Sequence, residues 1–374
     1  MRIAVLYWPT TSVGGIASDL LNLRSCALRK GHTFDVYRSG DLSTIEPRKF
    51  RERKLIRGGD SFIHIDGEAS HASRQVRYSA DMLNRNYDIV ILGFLCPHPK
   101  KEIPEPRFLE LLTRLKMPIV GRVTDGYFDT YAEWGKQTLA LCQRSTVVVP
   151  SYAKPLTDRE ITNFEIYRAP FDAEAYGIDL EAKRSPTELT IWPSQQKNIK
   201  GWNPFLEMLA EIPGDVEIYN CGIRYYQTRT SDEWIRGIGK NNFHPEFGGL
   251  GRHTYFGWQT LDHMRSEVYP RAWFMVDFQG MGKPRYEAYR LGSYNHTTVE
   301  ALWYGMLPVL YHTSMNAGLP PEVFFAVEEA RDFITDHDRA LEQFHDATRL
   351  AQARQFVLDH HSADHQLAYL LGDL

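Results

Sequence analysis

Apolar runs of strand length alternate along the chain with longer stretches whose apolar residues recur at helical spacing. Ile3-Ala-Val-Leu-Tyr7 opens the series. Pro9-Thr-Thr-Ser-Val-Gly-Gly15 leads from it into an amphipathic stretch, about Ile16 to Lys30, with Leu20, Leu21, Leu23 and Leu28 on its apolar side. Gly31-His32 stops that helix and Thr33–Tyr37 reads as the next strand, so the chain begins with a βαβ unit. Ser61–Ile65, Asp88–Gly93, Met117–Gly121 and Thr146–Pro150 continue the strand pattern, and Glu165–Gly177 has the look of a last strand and a crossing. A second alternation follows: a strand at Leu189–Trp192, a helix from about Trp202 to Ala210, strands at Val216–Asn220, Thr254–Gly257, Ala272–Phe278, Leu307–Tyr311 and Phe324–Val327, and a helical tail from about Asp338. Two successive sets of alternating strands and helices predict an α/β protein of two doubly wound, Rossmann-like domains facing a cleft.

Length agrees with that division, since 374 residues can bury two separate cores. No apolar run reaches the roughly 18 residues needed to span a bilayer, and the β-rich start lacks a signal-peptide cleavage pattern. Cys26, Cys96, Cys142 and Cys221 are far apart with no CxxC spacing, as buried thiols of a reducing compartment would be. A cytoplasmic monomer without membrane insertion is the expectation. The net charge of −4 argues against a generic nucleic-acid binder but is uneven: residues 1–172 carry 25 Lys/Arg against 20 Asp/Glu, and the remainder 18 against 27. An anionic partner would prefer the first half.

The most informative stretch is Gly292-Ser-Tyr-Asn-His-Thr-Thr-Val-Glu300, which runs on to Leu310. A polar run ending in Asn295, His296, Thr297 and Thr298 precedes a helical pattern, Val299 to Tyr304, and Gly305 ends it before the apolar Leu307–Tyr311. Free amides and the macrodipole at such a helix start favour an anion such as a diphosphate. Glu300, one turn inside, is placed to accept hydrogen bonds from a ribose diol; an ordinary capped helix feeding a core strand fits the same spacing.

Other candidates carry less. Gly14 and Gly15 let backbone amides approach a ligand at the first helix start, but GxGxxG is absent and no acid closes the second strand, so a dinucleotide-dependent dehydrogenase is disfavoured. Lys197 and Lys200, in the loop Pro193–Trp202, stand where a diphosphate would rest at the strand-to-helix end of the second sheet. Asp125 follows a buried strand on the carboxyl-end rim of the first. Arg48, Lys49, Arg51, Arg53, Lys54 and Arg57 fill six of ten positions, a solvated helix face or a track for phosphates. His64, Asp66, Glu68 and His71 resemble a metal cluster in composition only and match no established ligand spacing, so no metal site is assigned.

These residues resemble the GT-B glycosyltransferases, in particular the large retaining family that uses nucleotide sugars. The opening Met1–Tyr37 pattern is similar to that family's N-terminal unit, Lys200-Gly201 to the lysine of its Arg-x4-Lys diphosphate clamp, and Glu300 with Gly305 and Pro308 to the second half of its Glu-x7-Glu element. Two positions depart from the pattern: Gln195 stands at the clamp arginine and Gly292 at the first acid, which leaves Lys197, Asn295 or His296 to replace them. Within the superfamily the chain looks closest to the phage DNA α-glucosyltransferases of the T-even type, through Lys200-Gly201-Trp202, the element Thr298 to Val309, the polar insert Gly280–Arg290, and Asp125 at the place of a proposed catalytic acid.

The resemblance implies an acceptor-side domain over residues 1–172, a donor domain over 173–356, and a C-terminal helix, 357–374, crossing back to the first. It implies transfer of a sugar from a nucleotide diphosphate sugar, a UDP-sugar above all, with no obligatory cofactor or divalent metal. Asp125 would then lie near the acceptor hydroxyl. The acceptor so implied is a hydroxymethylated pyrimidine in double-stranded DNA, with the basic 48–57 run and Lys100-Lys101 on its backbone. A bacterial polysaccharide or lipid glycosyltransferase, and a non-catalytic nucleotide-binding protein of the same fold, are the alternatives.

Overall fold

A computed structural model describes residues 1–7, 15–38, 80–93, 106–123, 137–158, 160–177, 183–193, 201–211, 216–220, 252–255, 263–281, 294–312, 316 and 318–372. The chain divides into two compact units. Met1–Ile45, Ser61–Ala175 and His360–Leu374 belong to the first, and Tyr176–Asp359 forms the body of the second.

The first unit holds a parallel six-stranded sheet made of β1 (Arg2–Tyr7), β2 (Thr33–Arg38), β3 (Ile89–Leu92), β4 (Ile119–Val123), β5 (Arg144–Val147) and β6 (Phe164–Ile166), in the order β2-β1-β3-β4-β5-β6. Helices cover both faces of a doubly wound sheet, so β3 is a continuous apolar run buried at every position, and β4 is buried throughout with its Arg122 paired to Asp19 at 3.3 Å. Helix α1 (Gly15–Arg29) supplies Leu20, Leu23, Cys26 and Ala27 to this core, and Leu28, on the opposite side, is exposed. Gly31 ends the α1 turn at φ +78°, a conformation glycine adopts without a Cβ penalty. Helices α2 (Ala80–Asn86) and α3 (Pro106–Thr113) are further crossovers, and a short helix, Ala153–Thr157, lies between β5 and β6.

The second unit repeats the design with β7 (Leu189–Trp192), β8 (Glu217–Asn220), β9 (Arg252–Tyr255), β10 (Phe274–Asp277), β11 (Leu307–Tyr311) and β12 (Phe325–Val327), in the order β12-β11-β10-β7-β8-β9, all parallel. Read from the other edge this is the 3-2-1-4-5-6 order of a nucleotide-binding sheet, and its direction of winding reverses between β7 and β10. Trp192, Phe205, Phe274, Phe278 and Phe333 fill the core, with Trp192 stacked on Phe205 at 4.3 Å. Helix α4 (Trp202–Glu211) follows β7, and α5 (His296–Trp303) precedes β11.

The tail forms α6 (His337–His345), α7 (Ala347–His361) and α8 (Ala363–Leu371). Ala363, Leu367, Leu370 and Leu371 of α8 lie in the core of the first unit beside α1 and β5. At the start of α8 the chain exchanges backbone hydrogen bonds with Phe171, whose N–H reaches the His361 carbonyl at 2.6 Å and whose carbonyl accepts from Ala363 at 3.1 Å. Arg29 fixes the same corner by pairing with Asp172, Asp364 and Glu174. Among the described residues no helix is long and apolar enough to cross a membrane, and no group of three or more His, Cys, Asp or Glu could hold a metal ion.

Candidate functional site

In the second sheet the crevice for a ligand is expected beyond the carboxyl ends of β7 and β10, where the winding reverses. The chain leaving β7 returns to described structure at Gly201, whose φ of +78° admits only glycine comfortably. A Cβ there would stand 2.4 Å from the Phe278 carbonyl oxygen, so the start of α4 lies directly on the chain leaving β10. One residue before Phe278, Asp277 closes β10. Its carboxylate accepts the Gln279 N–H at 3.0 Å and the Asn295 side-chain amide.

Asn295 is the N-cap of α5. The helix starts at His296, three residues ahead of the apolar periodicity, which places His296, Thr297 and Thr298 inside its first turn. An N-cap asparagine ordinarily accepts from the first-turn amides. Here the Asn295 side chain makes no cap bond and is turned to Asp277, so the helix start has no side-chain cap. Thr298 is buried, and the hydroxyls of Thr297 and Thr298 meet no hydrogen-bond partner among the described residues. An uncapped helix start with two buried, unanswered hydroxyls suits an anion with several acceptor oxygens.

Glu300 is 1 % exposed and is held by a residue the sequence reading did not single out. Arg265, on the π-helical turn Met264–Val268, donates to Glu300 Oε1 through Nε at 2.9 Å and Nη2 at 2.8 Å. Burial pulls the Arg265 guanidinium toward the neutral form, and the charge and hydrogen bonds of Glu300 together with Tyr176 and Tyr304 outweigh it, so its pKa lies above the ordinary value. The guanidinium rests on the Tyr176 ring at 4.1 Å, and the Tyr176 carbonyl accepts from Trp303 Nε1 at 2.8 Å. His296 Nε2 stands 3.7 Å from the same Oε1. Both Arg265 donors use Oε1, and among the described residues no hydrogen bond reaches Oε2.

The structure thus gathers Asn295, His296, Thr297, Thr298 and Glu300 on one helix turn beside Asp277, Phe278 and Gly201. Gly15 begins α1 at the end of the βαβ turn in the first unit. Gly14, Asp125, Lys197, Lys200, Lys100, Lys101, the basic residues Arg48, Lys49, Arg51, Arg53, Lys54 and Arg57, and the set His64, Asp66, Glu68, His71 lie outside the described residues. Arg265 and Asp277 escaped sequence reading for different reasons. A lone arginine on a short polar turn has no periodic signature, whereas Asp277 ending an otherwise apolar strand was a legible signal.

No family model and no curated protein matches the sequence. Solved structures do match along its whole length. An α-glucosyltransferase in complex with UDP and a 13-mer DNA containing an HMU base superposes with a TM-score of 0.66 at 13 % identity, covering 100 % of both chains. Alr3699/HepE of Anabaena in complex with UDP-glucose gives 0.61 at 11 % identity, over 99 % of this chain and 100 % of that one. A glycosyltransferase from Rickettsia africae ESF-5 gives 0.59 at 12 % identity, over 100 % of both. The fold is the two-domain α/β GT-B fold of these proteins.

Proposed function

We propose that this chain is a glycosyltransferase whose second unit binds a UDP-sugar at the α5 start and whose acceptor is a hydroxymethylated pyrimidine in DNA. The observation that carries the donor reading is the uncapped start of α5, with buried, unanswered Thr297 and Thr298 hydroxyls and Glu300 Oε2 one turn on. A diphosphate would accept from the first-turn amides and hydroxyls, and Glu300 would accept from the ribose diol. Lys200 and Lys197 would add cations, as the resemblance implies. UDP is the nucleotide of the α-glucosyltransferase and HepE complexes.

As the bond from sugar to diphosphate lengthens, negative charge grows on the bridging oxygen while the sugar approaches an oxocarbenium ion. Fixed N–H, O–H and ammonium donors aimed at that oxygen lower the barrier, and one such donor can be worth roughly 3–4 kcal/mol. In a retaining reaction the acceptor hydroxyl enters on the face the diphosphate leaves and passes its proton to a leaving phosphate oxygen, with Asp125 as a hydrogen-bond partner. A base inside a duplex would reach this site by flipping out of the stack.

The DNA acceptor draws its support from the DNA-bound α-glucosyltransferase among the structural matches and from the positive balance of residues 1–172. The second reading keeps the UDP-sugar, the ligand of the HepE complex matched over the same length, and replaces DNA by another acceptor. Incubation of hydroxymethylcytosine- or hydroxymethyluracil-containing DNA with several UDP-sugars, followed by mass spectrometry of the nucleosides, separates the two. A hexosyl nucleoside is the expected product; UDP release without one rejects the DNA acceptor. Glu300→Gln should weaken uridine binding about tenfold and pyrophosphate binding little, as expected for one charge-assisted hydrogen bond to the ribose; equal loss of both rejects the assignment of Glu300.

A further inference from the structure

At the far end of α5 three arginines converge on backbone oxygen atoms. Gly305, at φ +72°, closes the helix, with Met306 N–H bonded to the Ala301 carbonyl at 2.9 Å and Gly305 N–H to Leu302 at 3.3 Å. That motif leaves the next carbonyls open. Arg354 Nε takes Trp303 O at 3.1 Å, Arg184 Nη2 takes Tyr304 O at 3.1 Å, and Arg349 takes Gly305 O at 2.9 Å and Met306 O at 3.0 Å. Arg184 also donates to the Ala272 carbonyl, and Arg184 and Arg349 share the Phe344 ring.

Among the described residues none of the three forms an ion pair with a carboxylate. Burial lowers the pKa of all three, Arg184 and Arg349 to about 10; repulsion from Arg354 adds to it at Arg184, and repulsion from Arg184 adds to it at Arg349, where Asp346 pulls the other way, so all stay charged at neutral pH. Gathering one buried and two partly buried cations on carbonyls and aromatic rings, with Asp346 as the counter-charge acting on Arg349, is a costly way to finish a helix that its glycine already ends. The compensation is electrostatic. Cations at the negative end cancel the partial charge there and leave the positive end of the dipole less opposed. Eight residues at 1.5 Å each put the N-terminal turn roughly 12 Å away, a distance at which buried charges are weakly screened.

We propose that Arg184, Arg349 and Arg354 are positioning residues: a partly buried cationic footing that strengthens binding of the nucleotide's diphosphate at the opposite end of α5 without touching it. The inference rests on the donor site proposed above. It matters there because Asp277 and Glu300 bring two carboxylates to the same helix end.

The test is calorimetric titration of the full chain with uridine, UMP and UDP, for wild type, Arg354→Gln, Arg354→Lys and Arg184→Gln. Each Gln variant should bind UDP roughly three- to tenfold more weakly, UMP less so, and uridine within twofold, because the lost interaction scales with ligand charge. Arg354→Lys, which keeps the charge and loses the guanidinium geometry, should hold UDP affinity within twofold of wild type. Equal losses for uridine and UDP, an unchanged UDP affinity, or a Lys variant as weak as the Gln variant would overturn the footing. A wild-type chain that binds neither uridine nor UDP fails the donor-site reading itself, and the footing with it. If one Gln variant does not fold, the other carries the same comparison.

Discussion

Deleting the Arg265 side chain exposes what holds the candidate site in shape. Arg265 and Glu300 are 3 % and 1 % exposed and 2.8 Å apart. At an effective dielectric constant near 20, opposite charges about 4 Å apart attract by about 4 kcal/mol, most of which offsets the cost of removing both from water. Arg265→Ala removes the attraction and leaves the buried carboxylate unanswered, which costs about 3–5 kcal/mol. The lost contact with the Tyr176 ring adds about 1 kcal/mol. The assay is urea unfolding, with hydrogen exchange of the β10 and β11 amides to report on the second unit by itself. The double variant Arg265→Met, Glu300→Leu strands no charge and should regain most of that stability, yet lose uridine-nucleotide binding. The reasoning is refuted if Arg265→Ala stays within 1 kcal/mol of wild type, or if the double variant is as unstable as the single one.

Gly201→Ala and Gly31→Ala share a φ of +78° but differ in surroundings, since a Cβ at 201 meets Phe278 and one at 31 meets nothing within 4 Å. Thermal unfolding should therefore show a loss of about 3 kcal/mol or more for the first and about 1 kcal/mol for the second. His337 Nε2 bonds Glu188 at 2.8 Å, and that bond, opposed by burial, raises the histidine pKa above 6.5. A raised value means this stabilisation is full below pH 6.5 and is lost as pH climbs through the folded pKa. The urea midpoint of the second unit should fall over that interval, and Glu188→Gln should flatten the slope. Leu367→Ala, in the fully buried face of α8, should cost about 2–4 kcal/mol and raise exchange at β5 in the first unit; protection unchanged at β5 would mean that α8 does not support that sheet.

Hydrophobic periodicity alone announced the strands and the long helices, because a parallel sheet covered on both faces needs unbroken apolar runs and its crossovers need one apolar stripe. Leu189–Trp192 and Leu307–Tyr311 stand where the pattern puts them. Periodicity missed the start of α5, since His296, Thr297 and Thr298 carry no apolar signal and owe their place to tertiary contacts. It could not show that Asn295 turns from its own helix to Asp277, 18 residues back, or that Glu300 is gripped by Arg265, 35 residues away. Nor could it show three arginines, from 184 to 354, meeting at one helix end. A repeating local pattern is written in neighbours along the chain. A polar site is made by the strand order, which brings side chains distant in sequence within hydrogen-bond reach in the folded second unit.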